Sequence, residues 1–77
     1  MKDIRVILGK FIEQNRKRLN LTQKQLSKKA GLHNSAACYV ENMSANPSFE
    51  TVNKLFQALD VSFHSFELYY INYGGEI

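Results

Sequence analysis

Three side chains in this 77-residue sequence carry the chemistry of nucleophiles and metal ligands: Cys38, His33 and His64. A thiolate beside an imidazole would make a catalytic pair. Cys38 and His33, however, stand five positions apart, and on a helix that spacing turns them away from each other. The two histidines are 31 positions apart and the cysteine is single, so neither a zinc-ligand spacing nor an internal disulfide can be written. With no second cysteine to resolve an oxidised Cys38, a thiol sensor has no support either. No catalytic residue, metal or cofactor is expected, and a chain of this length has little room for a deep cleft; the sequence reads as a non-enzyme.

The chemistry on offer is electrostatic. Residues 1–41 hold nine Lys and Arg (Lys2, Arg5, Lys10, Arg16, Lys17, Arg18, Lys24, Lys28, Lys29) against Asp3, Glu13 and Glu41, a balance of +6. Residues 42–77 hold Lys54 against Glu50, Asp60, Glu67 and Glu76, a balance of −3. A chain so divided turns its basic half towards a polyanion.

The elements that must position these charges follow from spacing. Residues 1–77 contain no internal linker and are expected to build one domain around one modest core. No apolar run approaches the roughly 20 residues that span a bilayer, and the start lacks the apolar stretch of a signal peptide; a soluble, cytoplasmic protein is expected. Ile4, Ile7, Leu8, Phe11, Ile12 and Leu19 recur mostly at intervals of three and four, predicting a helix from about residue 3 to 19 that ends on Arg16-Lys17-Arg18. Thr22 followed by Gln25 has the form of a capping box and opens a second helix with Leu26, Ser27 and Ala30 on one face. Gly31 occupies the position of a left-handed helix end. A third helix restarts with His33, Asn34 or Ser35 as cap and runs to about Asn42. Pro47 and Ser48 open a fourth, striped by Phe49, Val52, Leu55, Phe56 and Leu59. Ser62 begins a fifth element in which Phe63, Phe66, Tyr70 and Tyr73 make a helical seam, although its aromatic density would also suit a strand. The fold class is all-α, a compact bundle of four to five helices.

Two short helices joined by a glycine turn, the second showing small and polar side chains outward, describe a helix-turn-helix at about residues 22–42. The stretch "LGKFIEQNRKRLNLTQKQLSKKAGL", followed by "YVEN" and "NPSFETVNKLFQALDVS", resembles the Cro and lambda-repressor type of helix-turn-helix domain, also called xenobiotic-response-element-like. The resemblance spans about residues 7–66 and rests on the joint order of Leu8-Gly9, Arg16, Thr22-Gln23, Leu26, Ala30-Gly31-Leu32, Val40-Glu41, Asn46-Pro47-Ser48 and Leu55, Ala58-Leu59, Val61-Ser62.

That resemblance implies a DNA-binding transcriptional regulator whose third helix lies in the major groove. By position it assigns base contacts to His33, Asn34, Ser35 and Tyr39; an Asn amide can bond an adenine edge through two atoms. Thr22, Gln23, Asn42, Ser44 and Asn46 match its phosphate contacts, and Arg16 with Glu41 matches an ion pair tying the first helix to the third. Ala37, Val40 and Glu41 form the inward strip of that third helix, and Asn34, Ser35, Cys38, Tyr39 and Asn42 the outward one. Three positions depart from the family pattern. Ser27 replaces an alanine and Ala37 a larger aliphatic, which suggests a slightly underfilled core. Met43 replaces a glycine, which would pass the left-handed role to Asn42.

The partners implied are double-stranded DNA and a second copy of the chain. Residues 63–73 hold five of the nine aromatics beside a core that four helices already supply, so residues 61–73 are expected to form a dimerisation element, with Phe63, Phe66, Tyr70 and Tyr73 at the interface and a pseudo-palindromic operator. Phage repressors, restriction-modification controllers and antitoxins all share this form, acting through RNA polymerase at a promoter or, for an antitoxin, on a toxin as well. A strand-forming tail would favour the antitoxin and a helical one the plain regulator.

Overall fold

Each helix begins where a side-chain oxygen can take up an orphan amide, with one exception, and each of the first four ends in a single left-handed residue. The computed structural model describes residues 3–44 and 46–73, with side chains through residue 72. α1 (Ile4–Arg18) is capped by Asp3, which accepts the Arg5 amide at 2.9 Å. α2 (Gln23–Lys29) opens with the full capping box: Thr22 Oγ1 accepts the Gln25 amide at 3.0 Å, and Gln25 Oε1 accepts the Thr22 amide at 2.8 Å. Ser48 caps α4 (Phe49–Leu59), and Ser62 accepts the Ser65 amide at the start of α5 (Phe63–Tyr73). The exception is α3 (Ala36–Glu41), whose cap residue Ser35 makes no side-chain capping bond.

Asn20, Gly31, Met43 and Asp60 follow α1 to α4 with φ of 59°, 73°, 63° and 59°. In each case the next residue donates its amide back into the helix: Leu21 to Arg16, Leu32 to Ser27, Ser44 to Tyr39 and Val61 to Phe56, all within 3.1 Å. Met43 itself therefore takes the left-handed position, not Asn42, whose φ is −97°. The Asn42 side chain instead accepts the Ser44 amide at 2.9 Å, which helps hold the reversal in place of a glycine.

The described residues form helices and turns without a strand, so the fold is all-α and the stretch 63–73 is helical. The core gathers Ile7, Leu8, Phe11 and Ile12 of α1, Leu26 of α2, Ala37 and Val40 of α3, and Leu55, Phe56, Ala58 and Leu59 of α4. Gly9 sets the distance between α1 and α3: a Cβ there would stand 2.9 Å from the Glu41 carbonyl oxygen and 3.1 Å from that of Val40. A backbone carbonyl cannot retreat as a side-chain tip can, so the crossing requires glycine.

α5 corrects one expectation. It completes the core instead of standing beside it, since Phe66 and Tyr69 place their rings 5.2 and 5.1 Å from that of Phe11, which also meets Phe56 at 5.4 Å. Within the seam, Phe66 turns towards the core while Phe63 stays outside. Phe66 and Tyr70 are half-buried, and the large apolar side chains left outside on this helix are Phe63, Leu68 and Ile71. The Tyr73 side chain lies outside the described residues. The helical period was right; the face turned to the core could not be read from it.

Candidate nucleic-acid interface

The α2–Gly31–α3 unit is held by one buried hydroxyl. Ser27, fully buried on α2, donates from Oγ to the Gln23 carbonyl at 2.9 Å and accepts the Ala37 amide at 2.9 Å. Because α3 lacks a cap from Ser35, this is a cap supplied from the neighbouring helix. Ser27 thus fills a role that alanine could not. The fully buried Ala37 allows the approach, since a larger side chain would stand between the helices.

Two further amides at the start of α3 are taken up by His33. Its carbonyl accepts the Ala36 amide at 2.9 Å, and its Nδ1 accepts the Ser35 amide at 3.2 Å. With capping carried by Ser27 and His33, the side chains of Asn34 and Ser35 make no hydrogen bond among the described residues. Asn34 and Tyr39 are exposed, Ser35 partly so, and Cys38 beside them is half-buried with the Asn42 amide 3.6 Å from its sulfur. α3 therefore presents one short polar strip outward while Ala37 and Val40 are buried behind it.

Behind α3 lies an ion-pair network. Arg16 Nε stands 2.7 Å from Glu41 Oε2, Arg16 Nη2 donates to Glu41 Oε1 at 3.1 Å, and Arg16 Nη1 donates to the Leu21 carbonyl at 2.8 Å. Gln23 Nε2 donates to the same Glu41 Oε1 at 2.9 Å. The Glu41 carboxylate holds the Arg16 guanidinium above its already high usual range, so the charge is permanent. One carboxylate of α3 is thereby tied to α1, to the start of α2 and to the loop between them.

The five positions matched to phosphate contacts are not equivalent. Thr22 uses its oxygen in the cap but keeps its hydroxyl proton, and Gln23 has one of two amide protons committed to Glu41. Ser44 is exposed, and Asn42 has its carbonyl engaged by the Ser44 amide. Asn46 Oδ1 accepts from Arg5 Nη1 at 2.9 Å, a tie between α1 and the loop before α4 that no local pattern announces. Arg5 is further neutralised by Asp3, and its hydrogen bond to that carboxylate lowers the Asp3 pKa. Lys17 pairs with Glu13. Lys10, Lys24, Lys28 and Lys29 are exposed and face no carboxylate among the described residues. Three of the four lie on α2.

His33 and Tyr39 share a concavity of about 330 Å³ with Ala36, Val40, Asn46, Pro47, Ser48 and Thr51, so the outer strip of α3 and the loop before α4 form one continuous surface. Among the described residues no group of acidic, His or Cys side chains is arranged to hold a metal, and no helix is long and apolar enough to cross a membrane.

Comparison with known proteins agrees with this geometry. Residues 12–66 match the family model described as helix-turn-helix. No curated protein matches significantly. Among solved structures, the wild-type restriction-modification controller protein C.Esp1396I superposes with a TM-score of 0.84 at 21% identity, covering 94% of this chain and 92% of that one. A point mutant of the same controller gives 0.83 at 22% identity, with 92% of each chain covered. The N-terminal DNA binding domain of SinR from Bacillus subtilis gives 0.71 at 32% identity, covering 79% of this chain and 90% of that domain. The chain belongs to the helix-turn-helix family, of the Cro and lambda-repressor type.

Proposed function

We propose, from that membership, that the chain is a sequence-specific DNA-binding transcription regulator in which α3 enters the major groove. The observation that carries this is the division of labour at the start of α3: Ser27 and His33 take up the Ser35, Ala36 and Ala37 amides, which leaves Asn34 and Ser35 with uncommitted polar side chains on the exposed face. His33, Asn34, Ser35 and Tyr39 are the base-contacting residues of this reading. Thr22, Gln23, Asn42, Ser44 and Asn46 contact phosphate, which sets affinity and register without sequence preference. The four carboxylate-free lysines add the salt-dependent attraction that every nucleic-acid binder of this kind shows. The SinR domain, 32% identical, is itself described as DNA-binding.

Regulation follows from occupying a promoter as a homodimer. Two copies of α3 would address successive major grooves about 34 Å apart, so the operator is pseudo-palindromic. The dimer surface is α5, where Leu68, Ile71 and Phe63 are 48%, 53% and 38% exposed; Tyr70 borders it and Phe66 backs it from the core side. The helical form of α5 favours the plain regulator or restriction-modification controller over an antitoxin, whose tail would form a strand against its toxin.

Selection of bound fragments from random double-stranded DNA tests this function. Enrichment of an inverted repeat with half-site centres about one helical turn apart is expected. Recovery of unenriched sequence, with binding insensitive to salt, would contradict it.

A further inference from the structure

We propose that His33 is a donor-only reading residue, locked in one tautomer, that excludes cytosine from the base it faces. This deepens the DNA-binding reading and rests on it. The Ser35 backbone amide can only donate, and it points at His33 Nδ1 from 3.2 Å. Nδ1 must then carry a lone pair, and a neutral imidazole with an unprotonated Nδ1 holds its single proton on Nε2. The backbone of the same residue is fixed by its carbonyl, which accepts the Ala36 amide at 2.9 Å. His33 is exposed, and the concavity it lines with Tyr39, Asn46, Ser48 and Thr51 includes no charged side chain, so no carboxylate there captures the Nε2 proton.

A lone N–H donor at the front of a reading helix meets an acceptor on guanine (O6 and N7), adenine (N7) or thymine (O4) in the major groove. Cytosine offers only its N4 donor. Nε2–H facing that amino group would leave two donors opposed and both unpaired. The neighbouring Asn34 carries a donor and an acceptor and discriminates differently, by matching the paired donor and acceptor of one base. His33 would thus contribute a rule of exclusion beside the positive choice made by Asn34.

Two measurements on the full chain test this. Long-range proton-nitrogen NMR of the free protein above the titration range of histidine should show Nε2 protonated and Nδ1 bare; the opposite tautomer would overturn the proposal. Random-DNA selection should then show cytosine depleted about fivefold or more at one position of each half-site, the scale of one net hydrogen bond. His33→Ala should abolish that depletion. His33→Asn keeps an acceptor near the place of Nδ1 for the Ser35 amide but has no atom at the place of Nε2, so it should fold normally and also lose the depletion. Cytosine depletion that persists in both variants would overturn the proposal while leaving DNA recognition intact. A wild-type chain that enriches no sequence would instead remove the functional reading on which it rests.

Discussion

Ser27 Oγ, on α2, lies 2.9 Å from the amide nitrogen of Ala37, so a hydroxyl of one helix closes the first turn of the next. The same oxygen donates to the Gln23 carbonyl and is fully buried. The contact fixes where α3 starts and how it sits on its support, and it relieves the residues at the tip of α3 of capping duty.

Ser27→Ala removes this acceptor and leaves the Ala37 amide buried without a partner. A loss of about 1–3 kcal/mol in unfolding free energy is expected, measured by urea denaturation. A change below about 0.5 kcal/mol would mean that the amide finds another acceptor and that the hydroxyl is incidental.

Glu41 is the hub of the ion-pair network, with its side chain 6% exposed and that of Arg16 11%. Glu41→Ala strands a permanent positive charge and frees Gln23, and it should cost about 3 kcal/mol, the lower end of the range for a broken buried pair. Replacing both partners with apolar residues should cost much less than the sum of the two single changes. Simple additivity in that cycle would show that the two side chains do not act as a pair.

Gly9→Ala should separate α1 from α3 and cost about 1–3 kcal/mol by overpacking. The test is a thermal melt beside that of Lys10→Ala, an exposed neighbour expected to stay near wild type. Equal melting temperatures for the two variants would mean that the Glu41 carbonyl yields at no cost.

Much of this was legible in the sequence because it is local. Thr22 and Gln25 are three residues apart, so their capping box can be read without a fold, and Gly31 announces its own backbone. The cap at α3 was hidden because its acceptor is ten residues away on another helix, where Ser27 looks like a small residue in an alanine place. The left-handed turn at Met43 was hidden for a related reason: residue preference favours Asn42, but the 6→1 bond from Ser44 to Tyr39 fixes the position by helix length. In α5 the aromatic period marked a helix, yet only the place of Phe11 in the tertiary core decides that Phe66 turns inward and Leu68 outward.

On the outer face of α5, Leu68→Glu combined with Ile71→Glu should yield monomers by light scattering, with the helical signal in circular dichroism retained. A dimer that survives both charges would place the contact between copies elsewhere on the surface. Monomers should also bind a single half-site and lose the preference for inverted repeats.

The reading role of α3 is tested most directly by measuring the affinity of Asn34→Ala, beside wild type, for the selected operator and for random DNA at one fixed salt concentration. The expected result is a loss of about 1–3 kcal/mol on the operator with little change on random DNA, since the variant removes a base contact and leaves the phosphate contacts in place. Equal losses on both DNAs, or no loss on either, would contradict the account.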